Sequence, residues 1–134
     1  MKIYLAFKFT GEEVTQLTEK LNRLSATLRS AGHEVYCSIE DEDFFHANKY
    51  SNKDILTHEL KHIDTSDVVL AFIETPERSE GMLVEIGYTI GEGKPFILLV
   101  KKGIKTTTIH QVAKSVIEFD TVTDLCEKLS KISL

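Results

Sequence analysis

Two short runs limit what this chain can fold into. DVVLAFI, Asp67 to Ile73, and PFILLV, Pro95 to Val100, are each almost continuously apolar and bounded by polar or turn-forming residues. A strand with one wet face alternates polar and apolar side chains. A strand without alternation has both faces covered, as happens in a parallel sheet with helices on each side. The rest of the chain supplies the helices. KIYLAFKF at the N-terminus is a β-type run, after which Val14, Leu17, Leu21, Leu24 and Leu28 recur at helical spacing until Gly32 stops the pattern. HEVYCSI reads as a second strand, and the acidic stretch from Glu40 to Asn52 as a long loop. Ile55, Leu56, Leu60 and Ile63 then mark one face of another helix, the stretch between the two apolar runs is a further helix, and SVIEF with a terminal helix from Thr123 to Ile132 completes the order.

Strands alternating with helices imply parallel pairing through right-handed crossovers. The expectation is an α/β fold: a flavodoxin-like three-layer sandwich with a five-stranded parallel sheet, in one domain spanning residues 1–134. Ligands of such sheets sit outside the carboxyl ends of the strands, near the point where strand order reverses. Chemistry is therefore expected in the loops after KIYLAF, HEVYCSI and DVVLAFI.

Charge and composition narrow the partners. A formal net charge of -5 and a pI near 5.5 give no basic footprint for a nucleic-acid polymer. The N-terminal apolar run is broken by Lys8 and is too short for a signal-peptide core, and no apolar stretch approaches bilayer length, so neither export nor a membrane is expected and the cytoplasm is. Cys37 and Cys126 lie in no CxxC or metal-cluster spacing and read as small core hydrophobes.

One residue is out of place. In SEGMLVEIGYTIGEGKP, Ser79 to Pro95, Met82, Leu83, Ile86 and Ile90 share one helical arc, and Glu85 falls at its border beside Tyr88 and Thr89. Such a rim carboxylate either points to solvent or serves chemistry. Its place near the start of its helix, just past a buried strand, favours the ionised form through the helix dipole, and an ionised, partly desolvated carboxylate can act as a nucleophile.

DVVLAFIETPERSEGMLVEIGYTIGEGKPFILLV, with MKIYLAF at the N-terminus, resembles the nucleoside 2-deoxyribosyltransferase family and its relatives, the 2′-deoxynucleoside 5′-phosphate N-hydrolases and cytidine monophosphate hydrolases. The specific pattern is a glycine four residues before a glutamate, then Gly, an aromatic or basic residue, and a Gly-Lys leading into a strand. Gly81, Glu85, Gly87, Tyr88, Gly93 and Lys94 supply it. The resemblance implies that Glu85 attacks the anomeric carbon of a nucleoside or nucleotide sugar, the base departs, and water or a second base accepts the glycosyl group. A carboxylate suits this chemistry because it stabilises an oxocarbenium-like state and can trap it covalently.

The resemblance implies further roles. Glu59, eight residues before Asp67, stands where family members carry an aspartate, and would be the acid or sugar anchor. Ser79, six residues before Glu85, matches the serine with which the nucleotide hydrolases bind a 5′-phosphate, where the transferases have an aspartate. In FKFTG, Lys8 and Thr10 stand where those hydrolases place their phosphate loop, although the family's Gly-Ser-x-Arg is absent. Tyr4 matches a family tyrosine on the first strand; Gly81 and Tyr88 complete the substrate contacts. A homodimer is implied, with KKGIKTTTIH as the segment that reaches a neighbouring subunit's site and Thr106, Thr107, Thr108 and His110 as its polar residues. The chemistry requires no metal or organic cofactor, and the expected ligand is a small nucleoside or nucleotide.

Other motifs compete. HELKH, His58 to His62, satisfies H-E-x-x-H, the zinc-peptidase pattern with a glutamate as base. Lys61 is atypical there, and no third ligand stands at a familiar spacing. GEGKP fails the phosphate-loop spacing and reads as a helix stop and turn. His46, Tyr50, Phe44 and Phe45 in the acidic loop are candidates to line or stack on a base. A nucleotide-sensing module that keeps the cleft without turnover is the remaining alternative.

Overall fold

The computed structural model describes residues 1–9 and 11–134. Five parallel strands, β1 (Lys2–Ala6), β2 (Glu34–Tyr36), β3 (Val68–Ile73), β4 (Phe96–Lys101) and β5 (Ser115–Phe119), form one sheet in the order β2-β1-β3-β4-β5. With helices on both faces the architecture is flavodoxin-like, as the alternation of strand and helix patterns implies. Strand order reverses between β1 and β3, which places the ligand-binding crevice at their carboxyl ends.

All six residues of β3 are buried, and they divide by parity. Val68, Leu70 and Phe72 join Ile3, Leu5, Ile97 and Leu99 beneath α1 (Val14–Ser30) and α6 (Val122–Ser130). Val69, Ala71 and Ile73 face the other way, with Tyr4, Ala6, Phe96 and Leu98, under α3 (Asn52–Asp64) and α4 (Glu80–Gly91). This two-sided burial is why DVVLAFI and PFILLV lack alternation. Cys37 is fully buried and Cys126 packs at the edge of the core, both without a disulfide.

Two elements differ from the sequence expectation. HEVYCSI forms only three paired residues, and the polar stretch after it is a 3-10 turn (Ser38–Asp41) followed by α2 (Glu42–Ala47), not a loop. Glu40, Asp41, Glu42 and Asp43 occupy the start of this short helical segment, where negative charge is favoured, and Phe45 is the residue it buries. A second short helix, α5 (Thr108–Val112), lies between β4 and β5 and buries no residue fully, so it leaves no periodic signal.

GEGKP is the stop expected of it, with an added function for the lysine. Gly93 takes a positive φ of 71°, and Lys94 Nζ donates to the carbonyls of Ile63, Asp64 and Ser66 at 2.8, 2.6 and 2.6 Å. One ammonium thus satisfies the C-terminal carbonyls of α3 and fixes that helix beside the entry to β3. Replacing Lys94 by Ala is expected to cost about 1.5–3 kcal/mol, the range for hydrogen bonds to a charged group, read from the urea midpoint at unchanged m-value.

Candidate functional site

The buried face of α4 is rotated from the arc that apolar spacing suggests. Met82, Glu85, Ile86 and Thr89 face the sheet, whereas Leu83 and Ile90 are 44% and 46% exposed. Glu85 is therefore no rim residue: it is 4% exposed. Thr89 satisfies its own hydroxyl by donating to the Glu85 carbonyl at 2.7 Å, but Oε2 of the Glu85 carboxyl is buried with no hydrogen-bond partner among the described residues. An unpaired buried polar atom of this kind costs about 1–3 kcal/mol and calls for a functional reason.

Glu85 has company. Glu59, from α3, is half-buried and accepts a 2.6 Å hydrogen bond from Ser38 Oγ. The Tyr4 hydroxyl, from the middle of β1, lies beside both carboxyl groups, close enough for the three to act on one another's protonation. Burial, then the charge of Glu59, raises the pKa of Glu85 well above the carboxylate range, while Tyr4 pulls it back. Burial also raises Glu59, opposed by Ser38 and Tyr4. Tyr4 itself is raised well above its ordinary value by burial and then by the two carboxylates, so it remains a donor. Two close carboxyls in a desolvated space cannot both ionise readily. The helix dipole contributes less than the sequence suggests: Glu85 stands in the second turn of α4, and that field fades within the first.

A cavity of about 350 Å³ opens at the carboxyl ends of β1 and β3, within the size range of small-ligand sites. Lys8, Thr75, Ser79, Met82 and the segment from Ile104 to Ile109 line it. Lys8 is 4% exposed and its ammonium donates to Thr75 Oγ1; burial lowers its pKa, with Glu12 and Glu77 acting in the opposite sense. Ser79 caps α4, accepting from the Met82 amide at 3.3 Å, so its hydroxyl proton is left to donate elsewhere. Gly81 is the second residue of that helix, and a Cβ there would meet nothing nearer than Ser79 Oγ at 4.0 Å. Its lack of a side chain leaves the helix N-terminus approachable. Glu85 does not line the cavity; it stands one turn beyond Met82, which does.

The structure thus brings Lys8 and Ser79 together at the cavity, leaves Gly81 on α4 outside its lining, and brings Tyr4, Glu59 and Glu85 together beside it. Thr10 lies outside the described residues. Tyr88 is placed elsewhere: its hydroxyl donates to Asp64 at the C-terminus of α3, near the amino ends of the strands, because it lies outside the sheet-facing arc of α4. Within the segment KKGIKTTTIH, Ile104 to Ile109 line the cavity, and His110 is turned back to Thr106. Sequence reading missed Ser38, because it assigns this residue to the strand HEVYCSI, whereas the strand ends at Tyr36 and Ser38 opens the 3-10 turn after it. The zinc-peptidase reading fits poorly, since the Glu59 carboxyl is held by Ser38 and lies beside Tyr4 and Glu85 inside a parallel α/β sandwich.

The pattern of the family described as Nucleoside 2-deoxyribosyltransferase matches residues 3–122. The chain belongs to this family. That span includes every described residue of the carboxyl pair and the cavity. No curated protein matches the chain. Among solved structures, it is similar to the CMP N-glycosidase BcmB of Clostridium botulinum, with a TM-score of 0.72, 22% identity, and coverage of 98% of this chain and 100% of that one. It is equally similar to a 2-deoxyribosyltransferase of Bacillus psychrosaccharolyticus, with a TM-score of 0.72, 22% identity, and coverage of 100% and 93%. A conserved protein from Enterococcus faecalis V583 follows at a TM-score of 0.65 and 16% identity, covering 98% of each chain. At these identities the likeness speaks for the fold, and the family match carries the membership. In the described residues no helix is long and apolar enough to cross a membrane.

Proposed function

We propose that this family member cleaves the N-glycosidic bond of a nucleoside 5′-monophosphate, with Glu85 as nucleophile and Glu59 as the proton donor to the leaving base. The observation that carries the proposal is the buried Glu85 carboxyl with one unpartnered oxygen, beside the Glu59 carboxyl and the Tyr4 hydroxyl. The reactive form has the proton on Glu59 and the charge on Glu85. The closeness of the two carboxyls gives the proton a short path from one to the other.

The step balances simply. The sugar C1′–N bond breaks and the C1′–O bond to Glu85 forms, while the Glu59 proton moves to the departing base. Water or an acceptor base then attacks C1′ and releases Glu85, and Glu59 recovers its proton from that nucleophile. Tyr4, kept protonated, stands beside Glu85 as a donor that holds it on line. Glu85 is closed from solvent, so the site must open toward the cavity for a sugar to reach it.

The preference for a phosphorylated substrate rests on the cavity. Lys8, the Ser79 hydroxyl and the N-terminal amides of α4 together offer charge and donors to an anion. Replacing Lys8 by Met keeps the buried stem and removes the charge. The expected result is a rise in KM of about 10–100-fold for monophosphates and little change for the free nucleoside. An equal effect on both would remove Lys8 from phosphate binding.

A second copy of the chain is the proposed partner of α4. Leu83, Val84, Gly87, Ile90 and Gly91 form a continuous exposed apolar stripe on the side of the helix away from the sheet. Such a stripe, with two glycines that allow close approach, fits a helix face buried between copies. Leu83→Glu is expected to convert a dimer to a monomer in sedimentation; an unaltered sedimentation coefficient would argue for another surface.

The test of the whole reading is a panel of ribonucleotides, deoxynucleotides and nucleosides, incubated with and without an acceptor base and followed by chromatography of free base. Free base from monophosphates without acceptor supports the hydrolase. Exchange only in the presence of acceptor moves the assignment to transfer, and no release or exchange from any compound contradicts both, leaving a non-catalytic nucleotide-binding module.

A further inference from the structure

Among the described residues His58 and His62 make no hydrogen bond to the carboxyl pair, yet they are not scattered on the surface of α3. One helical turn apart, they meet Asp41, from the end of the 3-10 turn, in a half-buried cluster whose three potential ligand atoms lie within 4.8 Å of one another. His58 Nε2 is 3.3 Å from Asp41 Oδ2. The His62 ring lies flat on Tyr36, with centroids 3.5 Å apart and an interplanar angle of 3°, and the Tyr36 hydroxyl donates to the same Asp41 carboxylate at 2.7 Å. Tyr36, not itself a ligand, thereby orients Asp41 by a hydrogen bond and His62 by stacking, as neighbours outside the ligand set do in metal sites.

We propose that Asp41, His58 and His62 bind a zinc-class divalent ion that clamps the α2 segment onto α3. Two imidazoles and one carboxylate match the ligand types of zinc and exclude magnesium and calcium, which take oxygen donors. Histidines at i and i+4 of a helix present two nitrogens to one side, the spacing used by helical zinc sites. Zinc–nitrogen and zinc–oxygen bonds near 2.0–2.2 Å put neighbouring ligands of a tetrahedron about 3.4 Å apart, a spacing His58 and Asp41 nearly have; side-chain rotation of His62 closes the remainder. The rings are partly open to water, so solvent completes the coordination.

The ion is not placed to act in glycosidic chemistry. Its effect is mechanical. Asp41 lies three residues after Ser38, the hydrogen-bond donor to Glu59, and Glu59 stands between the two histidines in α3. Fixing Asp41 to the helix fixes the Ser38–Glu59 contact from both ends. The proposal stands whether or not the chain cleaves nucleotides, because it rests on the cluster alone.

The experiment uses the full chain, stripped of metal and tag, titrated with zinc chloride in a calorimeter and by NMR of the histidine ring protons. The expected result is one ion per chain, a thermal midpoint raised by several degrees, and perturbation of His58 and His62 resonances with His33, His46 and His110 unmoved. His58→Gln, His62→Gln and Asp41→Asn each lower affinity at least tenfold; His33→Gln and His46→Gln leave it intact. Absence of saturable one-to-one binding overturns the proposal. So does binding that perturbs only His33, which lies 3.4 Å from the terminal amine and offers an alternative chelate. The ring-proton readout on the unmutated chain decides the matter even where a variant fails to fold.

Discussion

Glu85→Gln is expected to lower base release at least about a thousand-fold while leaving the protein folded and, at pH 8, more stable than the parent. The activity loss follows from removing the proposed nucleophile, and single knockouts of covalent nucleophiles have effects of this size or larger. The stability gain follows from the raised pKa. Burial favours the neutral form of Glu85, so its folded pKa lies above the unfolded value near 4.5. Stability from such a group is fully present below the unfolded pKa and is lost as pH rises through the folded one. Gln, always neutral and nearly the same shape, escapes that loss. Denaturation at pH 8 should show a gain of about 1–3 kcal/mol, shrinking toward zero near pH 4. A variant that gains stability and loses function marks Glu85 as kept for chemistry; a variant that loses both would mark it as structural.

Glu59→Gln carries the second large effect. As proton donor, Glu59 is expected to contribute about 10²–10⁴ in kcat, and its amide cannot donate in its place. The parent should lose activity on the alkaline side as the pair gives up its last proton, at a pH displaced upward from ordinary carboxylates because burial raises both members. In Glu59→Gln that limb disappears, leaving a low rate governed by Glu85 alone. The deficit should shrink for substrates whose base leaves without protonation. A variant with the parent's pH profile would assign the proton to another group.

The sheet was legible because its signal is physical and local. DVVLAFI and PFILLV are apolar on both faces because helices cover both, and the structure pairs them as adjacent central strands. α2 was hidden because six residues with one buried side chain carry no period, although the acidic run before Phe44 and Phe45 was a usable start signal. α4 was legible as a helix and misleading in phase. With apolar residues on more than half its circumference, spacing alone cannot tell the sheet-facing arc from the outward stripe, so Leu83 and Ile90 were placed inward and Glu85 at the rim. What decides the phase is tertiary: Tyr4 and Glu59 receive the Glu85 carboxyl from β1 and α3. Tyr88 shows the converse, a motif residue whose hydroxyl ties α4 to Asp64 at the opposite end of the sheet. The contact of His58 and His62 with Asp41 was not readable, because the aspartate comes from a separate element.

The central claim is a covalent bond between Glu85 and the sugar. It is tested most directly by mixing the protein with a nucleoside 5′-monophosphate it turns over, quenching in acid within the first turnovers, and weighing the proteolytic peptide that contains Glu85. The account predicts that peptide heavier by one glycosyl phosphate, with the addition on Glu85 and absent from Glu85→Gln. An adduct on any other residue, or base release at the parent's rate from Glu85→Gln, would contradict it.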